Sequence, residues 1–259
     1  MALIDARDVS HLYVGSDGQP TWALQNVSLS IEEGRFTCLV GPSGCGKTTL
    51  LQLIAGFMSP TRGAVTLSGA PIKRPGPDRS VVFQEYALFA WFTVRQNVEF
   101  GLRVAGMKAS ERRARSDELL EMVGMTRAAE RYPHELSGGM RQRVAVARAL
   151  ATHPDVVLMD EPFAAVDALT RVNLQEELLR LAKRLNLSIV FVTHNIDEAV
   201  FLADEVVVMS AHPGSVKTVL TIDMPHPRDR GSGAFANWYT RINGLLHEDS
   251  SLTASATTP

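Results

Sequence analysis

The sequence predicts an α/β fold built around a mainly parallel sheet. Three observations lead to this fold class: short apolar segments alternate with amphipathic ones, a glycine-rich loop joins an apolar segment to a helical one, and residues 93–153 have helical periodicity. Strands that alternate with amphipathic helices usually form a parallel sheet covered on both faces. With 259 residues, 45% hydrophobic and 21% charged, the chain can bury a sizeable core.

The elements follow in order from apolar periodicity and turn residues. Strands are predicted at residues 2–4, 23–29 and 36–40, with the polar turn 15–18 between the first two, and we expect a small N-terminal sheet that leads into a core strand. Beyond them the pattern predicts a helix at 47–56, strands at 65–69 and 80–84, a helical lobe at about 88–153, a strand at 155–160, a helix at 171–185, and strands at 188–193 and 205–209.

Composition excludes several classes of protein. Lys and Arg number 26 against 28 Asp and Glu, a net charge of -2, so we expect no nucleic-acid partner. The spacing of Cys38 and Cys45 matches neither a disulfide framework nor a zinc site, which favours a reducing compartment. Apolar runs such as 206–209 are far too short to cross a bilayer, and we expect a chain that is neither secreted nor membrane-spanning.

The C-terminal region gives weaker signals. We predict one folded domain over residues 2–247, followed by a disordered tail at 248–259 that is rich in Ser, Thr and Ala. The residues after Val216, which include Arg228 and Arg230, are open to two interpretations, a short regulatory or docking tail and a solvated end. The solvated end is the expectation we adopt.

The glycine-rich loop carries the most specific chemical signal. Residues 41–48 match G-x-x-x-x-G-K-[ST] between an apolar strand and a helix. Small residues let backbone N–H groups and the helix N-terminus point at a phosphate chain. Lys47 would neutralise phosphate oxygens, and the Thr48 hydroxyl would ligate Mg²⁺. The predicted phosphate-binding residues are Gly41, Pro42, Ser43, Gly44, Cys45, Gly46, Lys47, Thr48 and Thr49.

Polar side chains end the other buried strands as well. Asp160 and Glu161 follow one apolar segment, Gln84 follows another, and His194 follows a third. The carboxyl ends of parallel strands face the ligand crevice, where Asp160 would hold Mg²⁺ and Glu161 would orient or deprotonate water. Each residue taken alone could be an ordinary strand end. Their convergence on one sheet edge favours a site.

A second glycine motif, Leu-Ser-Gly-Gly-Met at residues 136–140, opens a predicted helix. Ser137 is its expected N-cap, and Gly138 and Gly139 follow. Two glycines at a helix N-terminus can bind an anion, and a plain capped helix is an equally good interpretation of the motif by itself.

Together these motifs resemble the ATP-binding subunits of ABC transporters, over residues 2–230 or so. Residues 41–48 correspond to the Walker A motif and 136–140 to the signature, although Met140 stands where the family usually has Gln. The resemblance implies a P-loop NTPase core with an N-terminal antiparallel β-subdomain and a helical lobe, ATP and Mg²⁺ as ligands, and ATP hydrolysis. It assigns catalytic roles to Glu161, His194, Lys47 and Gln84, and Mg²⁺ coordination to Thr48, Gln84 and Asp160.

The resemblance also implies partners. Two copies would form a head-to-tail homodimer in which Ser137, Gly138 and Gly139 of one copy clasp the ATP bound by the other. Gln84 would be the family's Q-loop glutamine, and a separate membrane permease would contact the aromatic segment, residues 83–94, that contains it. Tyr13 would stack on adenine as the A-loop residue. An extracytoplasmic solute-binding protein would complete an importer, with this chain peripheral at the cytoplasmic face of the inner membrane. The candidate permease contacts are Leu88, Phe89 and Trp91, which could instead be lobe core.

Within the family, the segment 83–94 and the signature helix are similar to those of importers of nitrate, aliphatic sulfonates and taurine. Importers of pyrimidine precursors and other small organic solutes share these features and remain an alternative. A soluble ABC ATPase of repair or translation is a further alternative, although such chains usually carry tandem halves or a long coiled-coil insertion.

Overall fold

The computed structural model describes residues 2–15, 18–211 and 213–254, with side chains described up to residue 247. The chain forms two compact units. The first unit comprises Met1–Pro75 together with Ser188–Pro259, and the second comprises Gly76–Leu187.

Strands and helices alternate one by one only between residues 156 and 210 of the described chain, and runs of strands or helices precede that part. Before residue 76 lie strands β1 (Ala2–Val14), β2 (Pro20–Glu32) and β3 (Phe36–Val40), helix α1 (Lys47–Ala55), and strands β4 (Arg62–Leu67) and β5 (Ala70–Pro71). The second unit contains strand β6 (Arg79–Val82), helices α2 (Val94–Val104), α3 (Ala109–Met122) and α4 (Gly138–Leu150), strand β7 (Val156–Asp160) and helix α5 (Ala168–Leu185), with short 3-10 turns at Thr126–Ala128 and Pro133–Glu135. The first unit resumes with strand β8 (Ser188–Thr193), helix α6 (Ile196–Leu202), strands β9 (Glu205–Ser210) and β10 (Ser215–Thr221), and helix α7 (Gly233–Ala254).

The predicted N-terminal antiparallel sheet is present, with strand order β2-β1-β4-β5. Its first two strands are much longer than the sequence pattern indicated. The register between them shifts at several points, and Asp8 and Asn26 have positive φ values of 47° and 50°. Such bulges interrupt the alternation of apolar and polar residues, so a period-two pattern detects only fragments of each strand.

The predicted parallel pairing is found in both units. In the first unit, β3 pairs in parallel with both β8 and β9, and Val40 lies opposite Thr193 on one side and Val208 on the other. All residues of β3 and β8 are buried. In the second unit, β6 and β7 are parallel, with Val82 opposite Met159. The loops that follow paired strands therefore emerge side by side, which is the arrangement expected for a site at the sheet edge.

The predicted helical lobe contains helices α2, α3 and α4. Helix α2 begins with a capping box in which Thr93 and Gln96 satisfy each other's backbone N–H groups. Asn97, fully buried, accepts from the N–H of Phe89 at 2.9 Å and donates to the carbonyl of Thr93 at 3.0 Å. These bonds hold the aromatic segment against the start of α2.

The expectation of a solvated end after Val216 is wrong. Strand β10 pairs with β9, and Arg228 is 6% exposed. Its guanidinium donates to the carbonyls of Val200 at 2.7 Å and Ala203 at 2.6 Å. Arg230 lies 3.6 Å over the ring of Phe201. The segment is thus part of the core, because its buried arginine satisfies carbonyls at the end of α6.

The predicted tail differs from the structure too. Helix α7 continues through Ala254, so residues 248–254 are helical where the composition indicated disorder. A helix that has already formed adds residues at little cost, and this extends it through a polar sequence. Residues 255–259 lie outside the described part of the chain. None of the helices in the described ranges is long and apolar enough to cross a membrane.

Arg228→Met is expected to lower the free energy of unfolding by about 2–3 kcal/mol, because buried carbonyls lose a charged donor. Urea denaturation followed by far-UV circular dichroism measures the change. Arg241→Met, which alters an exposed arginine of α7, serves as the matched control and should leave the transition unchanged. Equal stability of the two variants would contradict a structural role for the buried arginine.

Candidate functional site

The glycine-rich loop lies between the buried strand β3 and helix α1, as predicted. Gly44 and Gly46 have φ values of +78° and +86°, a region that residues with a Cβ rarely adopt. Gly46 is the N-cap of α1 and has no side chain to occupy the first N–H groups of the helix. These N–H groups, together with the positive end of the helix, form a cradle suited to phosphate.

Close backbone contacts also exclude a side chain at Gly41 and Gly46. A Cβ at Gly41 would lie 2.8 Å from the carbonyl oxygen of Met209, and one at Gly46 would lie 2.8 Å from that of Ala23. The carbonyl of Cys45 in turn sits directly against Gly214, whose N–H donates to Ala23 at 3.1 Å. The loop is therefore packed against β2, β9 and the turn at Gly214 just before β10, and this packing fixes its shape.

Lys47 is 7% exposed, and its ammonium group closes the loop from within. Nζ donates to the carbonyl oxygens of Gly41 at 2.8 Å and Pro42 at 3.0 Å. A third, longer contact of 3.7 Å runs from Nζ to Sγ of Cys45. Sulfur is a weak acceptor, so a phosphate oxygen is a better partner for this third N–H. The side chain thus ties the start of the loop to the first residue of α1 and places a positive charge inside the curve of the loop.

Cys45 points away from solvent and is fully buried. Burial raises the pKa of its thiol, an effect that neighbouring Lys47 opposes only in part. The thiol is therefore protonated at neutral pH, and it contributes packing beneath the loop rather than a reactive group.

Tyr13, the predicted adenine-stacking residue, lies beside the start of α1. Its ring is 43% exposed, and its hydroxyl is 3.3 Å from Oγ1 of Thr49. The edge of the His11 ring meets it at 4.9 Å between centroids. An exposed aromatic face is thus held next to the phosphate cradle, where stacking on a planar ring is geometrically available.

His194 directly follows β8, and the turn that carries it is braced by hydrogen bonds. Oγ1 of Thr193 donates to the carboxylate of Glu198 at 2.6 Å and accepts from the N–H of Asn195 at 3.0 Å. Asn195 caps helix α6 through the N–H of Asp197. Because β3 and β8 are parallel neighbours, the cradle and His194 leave the same edge of the sheet.

In the second unit, the strand pair β6 and β7 brings a glutamine and two carboxylates to one edge. Gln84 is exposed two residues after β6, Asp160 is the last residue of β7, and Glu161 follows with a φ of 43°. A left-handed backbone is uncommon for a glutamate and marks a turn that the surroundings impose. Amide and carboxylate oxygens are donors that Mg²⁺ accepts, so Gln84 and Asp160 are of residue types that suit this ion, as is the Thr48 hydroxyl in the first unit.

The signature motif forms the N-terminus of α4. Oγ of Ser137 caps the helix by accepting from the N–H of Met140 at 3.3 Å, as predicted. A Cβ on Gly138 would lie 3.4 Å from the Tyr86 hydroxyl, and one on Gly139 would lie 2.6 Å from Cγ2 of Thr170. The motif is thus packed against the segment after Gln84 and against the start of α5.

Arg148 is a residue that sequence reasoning missed. From the far end of α4 it donates to the carbonyls of Ala87 at 2.6 Å and Tyr86 at 3.0 Å. Both of these residues have positive φ, 46° and 62°. The arginine therefore stabilises a strained segment directly after Gln84, and no local pattern links positions so far apart in the chain.

Comparisons with known proteins agree with this geometry. The ABC transporter family model matches residues 24–164. An uncharacterized ABC transporter ATP-binding protein of Methanocaldococcus jannaschii is 48% identical over 233 residues, which cover 90% of this chain and 87% of that protein. The nitrate import ATP-binding protein NrtD of Synechocystis is 49% identical over 86% of this chain and 83% of its own length. The bicarbonate transport ATP-binding protein CmpC of Synechocystis is 47% identical over 89% of this chain, which spans 35% of that protein.

Among solved structures, the ATP-binding cassette MJ0796 is similar in its dimeric post-hydrolysis state bound to ADP and Pi. It superposes with a TM-score of 0.75 and 32% identity, and it covers 86% of this chain and 100% of its own. The fold, the order of the motifs and the extent of both similarities lead to one conclusion: the chain belongs to the ABC transporter family, as one of its ATP-hydrolysing cassettes.

Proposed function

We propose that this chain powers the import of a small solute, namely nitrate, an aliphatic sulfonate or taurine, by binding and hydrolysing ATP. The observation that carries the ATPase part is the glycine cradle with Lys47 closing it from within. The similarity to the nitrate import protein NrtD supports the choice of solutes. Importers of other small solutes are the alternative, and the similarity to the bicarbonate transport protein CmpC favours keeping that class among the candidates.

The proposed roles at the nucleotide follow the donors and charges of each group. Residues 41–49 would hold the phosphates, Lys47 would offset their charge, and Tyr13 would stack on adenine. Mg²⁺, held by Thr48, Gln84 and Asp160, would neutralise charge on the phosphate oxygens. Glu161 would take up the proton of the attacking water, and His194 would donate a hydrogen bond to the γ-phosphate.

The proposed partners are a second copy of the chain and a permease. The dimeric structures of MJ0796 support a homodimer. In the head-to-tail arrangement that we propose, Ser137, Gly138 and Gly139 would contact the partner's ATP. The aromatic segment offers a surface for the permease, since the side chain of Trp91 is 70% exposed. Phe89 is only partly exposed and packs on Phe100 at 4.5 Å, so it supports that surface from below. Leu88 lies beside it in the same segment.

This arrangement would place the chain at the cytoplasmic face of the inner membrane, bound to its permease. An extracytoplasmic solute-binding protein would deliver the solute. ATP would close the dimer, and the segment after Gln84 would transmit this movement to the permease. Hydrolysis would then return the dimer to its open state. The bonds from Arg148 to Tyr86 and Ala87 support this route, because they connect that segment to the helix that begins with the signature.

Glu161→Gln is expected to keep ATP binding and to lower phosphate release by at least about a hundredfold, because the general base is lost. The ATP-bound dimer should accumulate, which size-exclusion chromatography with ATP and Mg²⁺ detects. Glu176→Gln, an exposed carboxylate of α5, is the matched control and should behave like the wild type. Wild-type turnover by Glu161→Gln would remove Glu161 from the proposed mechanism.

Deletion of the gene is expected to abolish growth when the transported solute is the only source of nitrogen or sulfur. The solutes to test are nitrate as the nitrogen source, and taurine or an alkanesulfonate as the sulfur source, with ammonium and sulfate as controls. The wild-type gene should restore growth, whereas Lys47→Ala should not, because the phosphate cradle loses its charge. Normal growth of the deletion strain on all of these solutes would contradict the proposed solute class and leave the ATPase assignment standing.

A further inference from the structure

The second unit contains a cavity that the nucleotide chemistry does not use. It has a volume of about 400 Å³ and is lined by the end of α3, one face of α4 and one face of α5. Ligand sites in proteins have volumes of this order and combine an apolar lining with a few polar groups. Three features of this cavity match that description: its floor, one buried amide and a cationic rim.

The buried amide belongs to Gln142 of α4. The residue is 1% exposed and lines the cavity. Within the described part of the chain, neither Nε2 nor Oε1 has a hydrogen-bond partner. Nearly all buried polar side chains are paired, so an amide with both its donor and its acceptor unpaired indicates a group missing from the cavity.

The floor of the cavity is apolar. Val146, Phe163, Leu174 and Leu178 are all buried and contribute to the lining. These side chains come from two helices and the segment between them, so they enclose the body of a ligand from more than one side. Such a lining favours an aromatic or short aliphatic group of the ligand over a fully hydrated one.

The rim carries a net positive charge, because Arg143, Arg180 and Arg184 line the cavity against two carboxylates, Glu121 and Glu177. Arg180 and Arg184 lie one turn apart on α5, are exposed, and form no ion pair with any residue in the described ranges. A third arginine, Arg143, is neutralised by Glu177, with 2.6 Å between Nη2 and Oε1. The guanidinium groups of Arg180 and Arg184, beside an apolar opening, favour a carboxylate at the outer end of the ligand.

We propose that this cavity binds a small amphipathic carboxylate that carries a hydroxyl or amide group at its inner end. The carboxylate meets Arg180 and Arg184, the apolar body rests on the floor, and the inner polar group pairs with Gln142. Each part of the ligand is complementary to one feature of the cavity. A simple fatty acid or a bare anion is complementary to only one or two of these three features.

Occupancy of the cavity bears on the signature motif. Helix α4 begins at the signature, and α5 begins at Asp167, whose carboxylate caps it through the N–H of Thr170. A Cβ on Gly139 would lie 3.9 Å from Cδ1 of Leu174, a floor residue. A ligand therefore sets the separation of the two helices just behind the signature. This regulatory consequence rests on the proposed ATPase function, whereas binding itself does not.

Isothermal titration calorimetry on the full chain tests the site with a matched set of probes. The probes are 3-(4-hydroxyphenyl)propionate, 3-phenylpropionate, which lacks the hydroxyl, and 3-(4-hydroxyphenyl)propionamide, which lacks the charge. The hydroxylated carboxylate should bind in a saturable way, about tenfold more tightly than either of the other probes, because each lacks one hydrogen-bonding or charged end.

Variants assign the two ends separately. Gln142→Met should remove the advantage of the hydroxyl while preserving the effect of the carboxylate. Arg180→Gln/Arg184→Gln should weaken both carboxylates to the level of the amide. Lys183→Gln, an exposed cation of α5 outside the cavity lining, is the control and should bind like the wild type.

The proposal is overturned if no probe binds saturably, or if the double arginine variant binds both carboxylates as the wild type does. If Gln142→Met does not fold, the relative affinities of the two carboxylates for the wild type and for the double arginine variant still test the proposal. Phosphate release is measured with and without the hydroxylated probe at saturation. A change that the arginine variant abolishes supports regulation; unchanged release with intact binding limits the site to binding and leaves the ATPase proposal untouched.

Discussion

The structure depends on the close approach of the phosphate cradle to the backbone beneath it. Met209 and Ala23 leave no room for a side chain at Gly41 and Gly46, and Cys45 leaves none at Gly214. Lys47 ties the loop to its own carbonyls. The loop therefore needs no ligand to hold its curvature. In the proposed nucleotide site, a loop held in this way would lose less entropy on binding phosphate than a flexible loop would.

That constraint explains why the C-terminal segment belongs to the core. The strand that contains Met209 and the turn at Gly214 support the cradle, and both must be fixed in turn. Pairing of β10 with β9 and the buried bonds of Arg228 supply this support. A chain that ended before β10 would leave the base of the cradle without part of its packing.

The second unit uses a different means to position its polar groups. Gln84 and Glu161 follow short parallel strands in segments that contain residues with positive φ, so their loops are not held by regular pairing. Arg148 compensates with two hydrogen bonds to the backbone at Tyr86 and Ala87. Helix α4 carries the signature at its N-terminus and stabilises the segment after Gln84 from its C-terminal end. A displacement of the helix would therefore displace that segment as well.

The sequence by itself determined the fold class, the motifs and most of the buried strands. These depend on local periodicity and on a motif of fixed spacing, in which Gly44 and Gly46 adopt backbone conformations that other residues rarely take. Tertiary structure decided the full length of β1 and β2, the burial of Arg228, the role of Arg148 and the unpaired amide of Gln142. Each of these depends on contacts between residues far apart in the chain, where the partner, and not the local pattern, sets the energy.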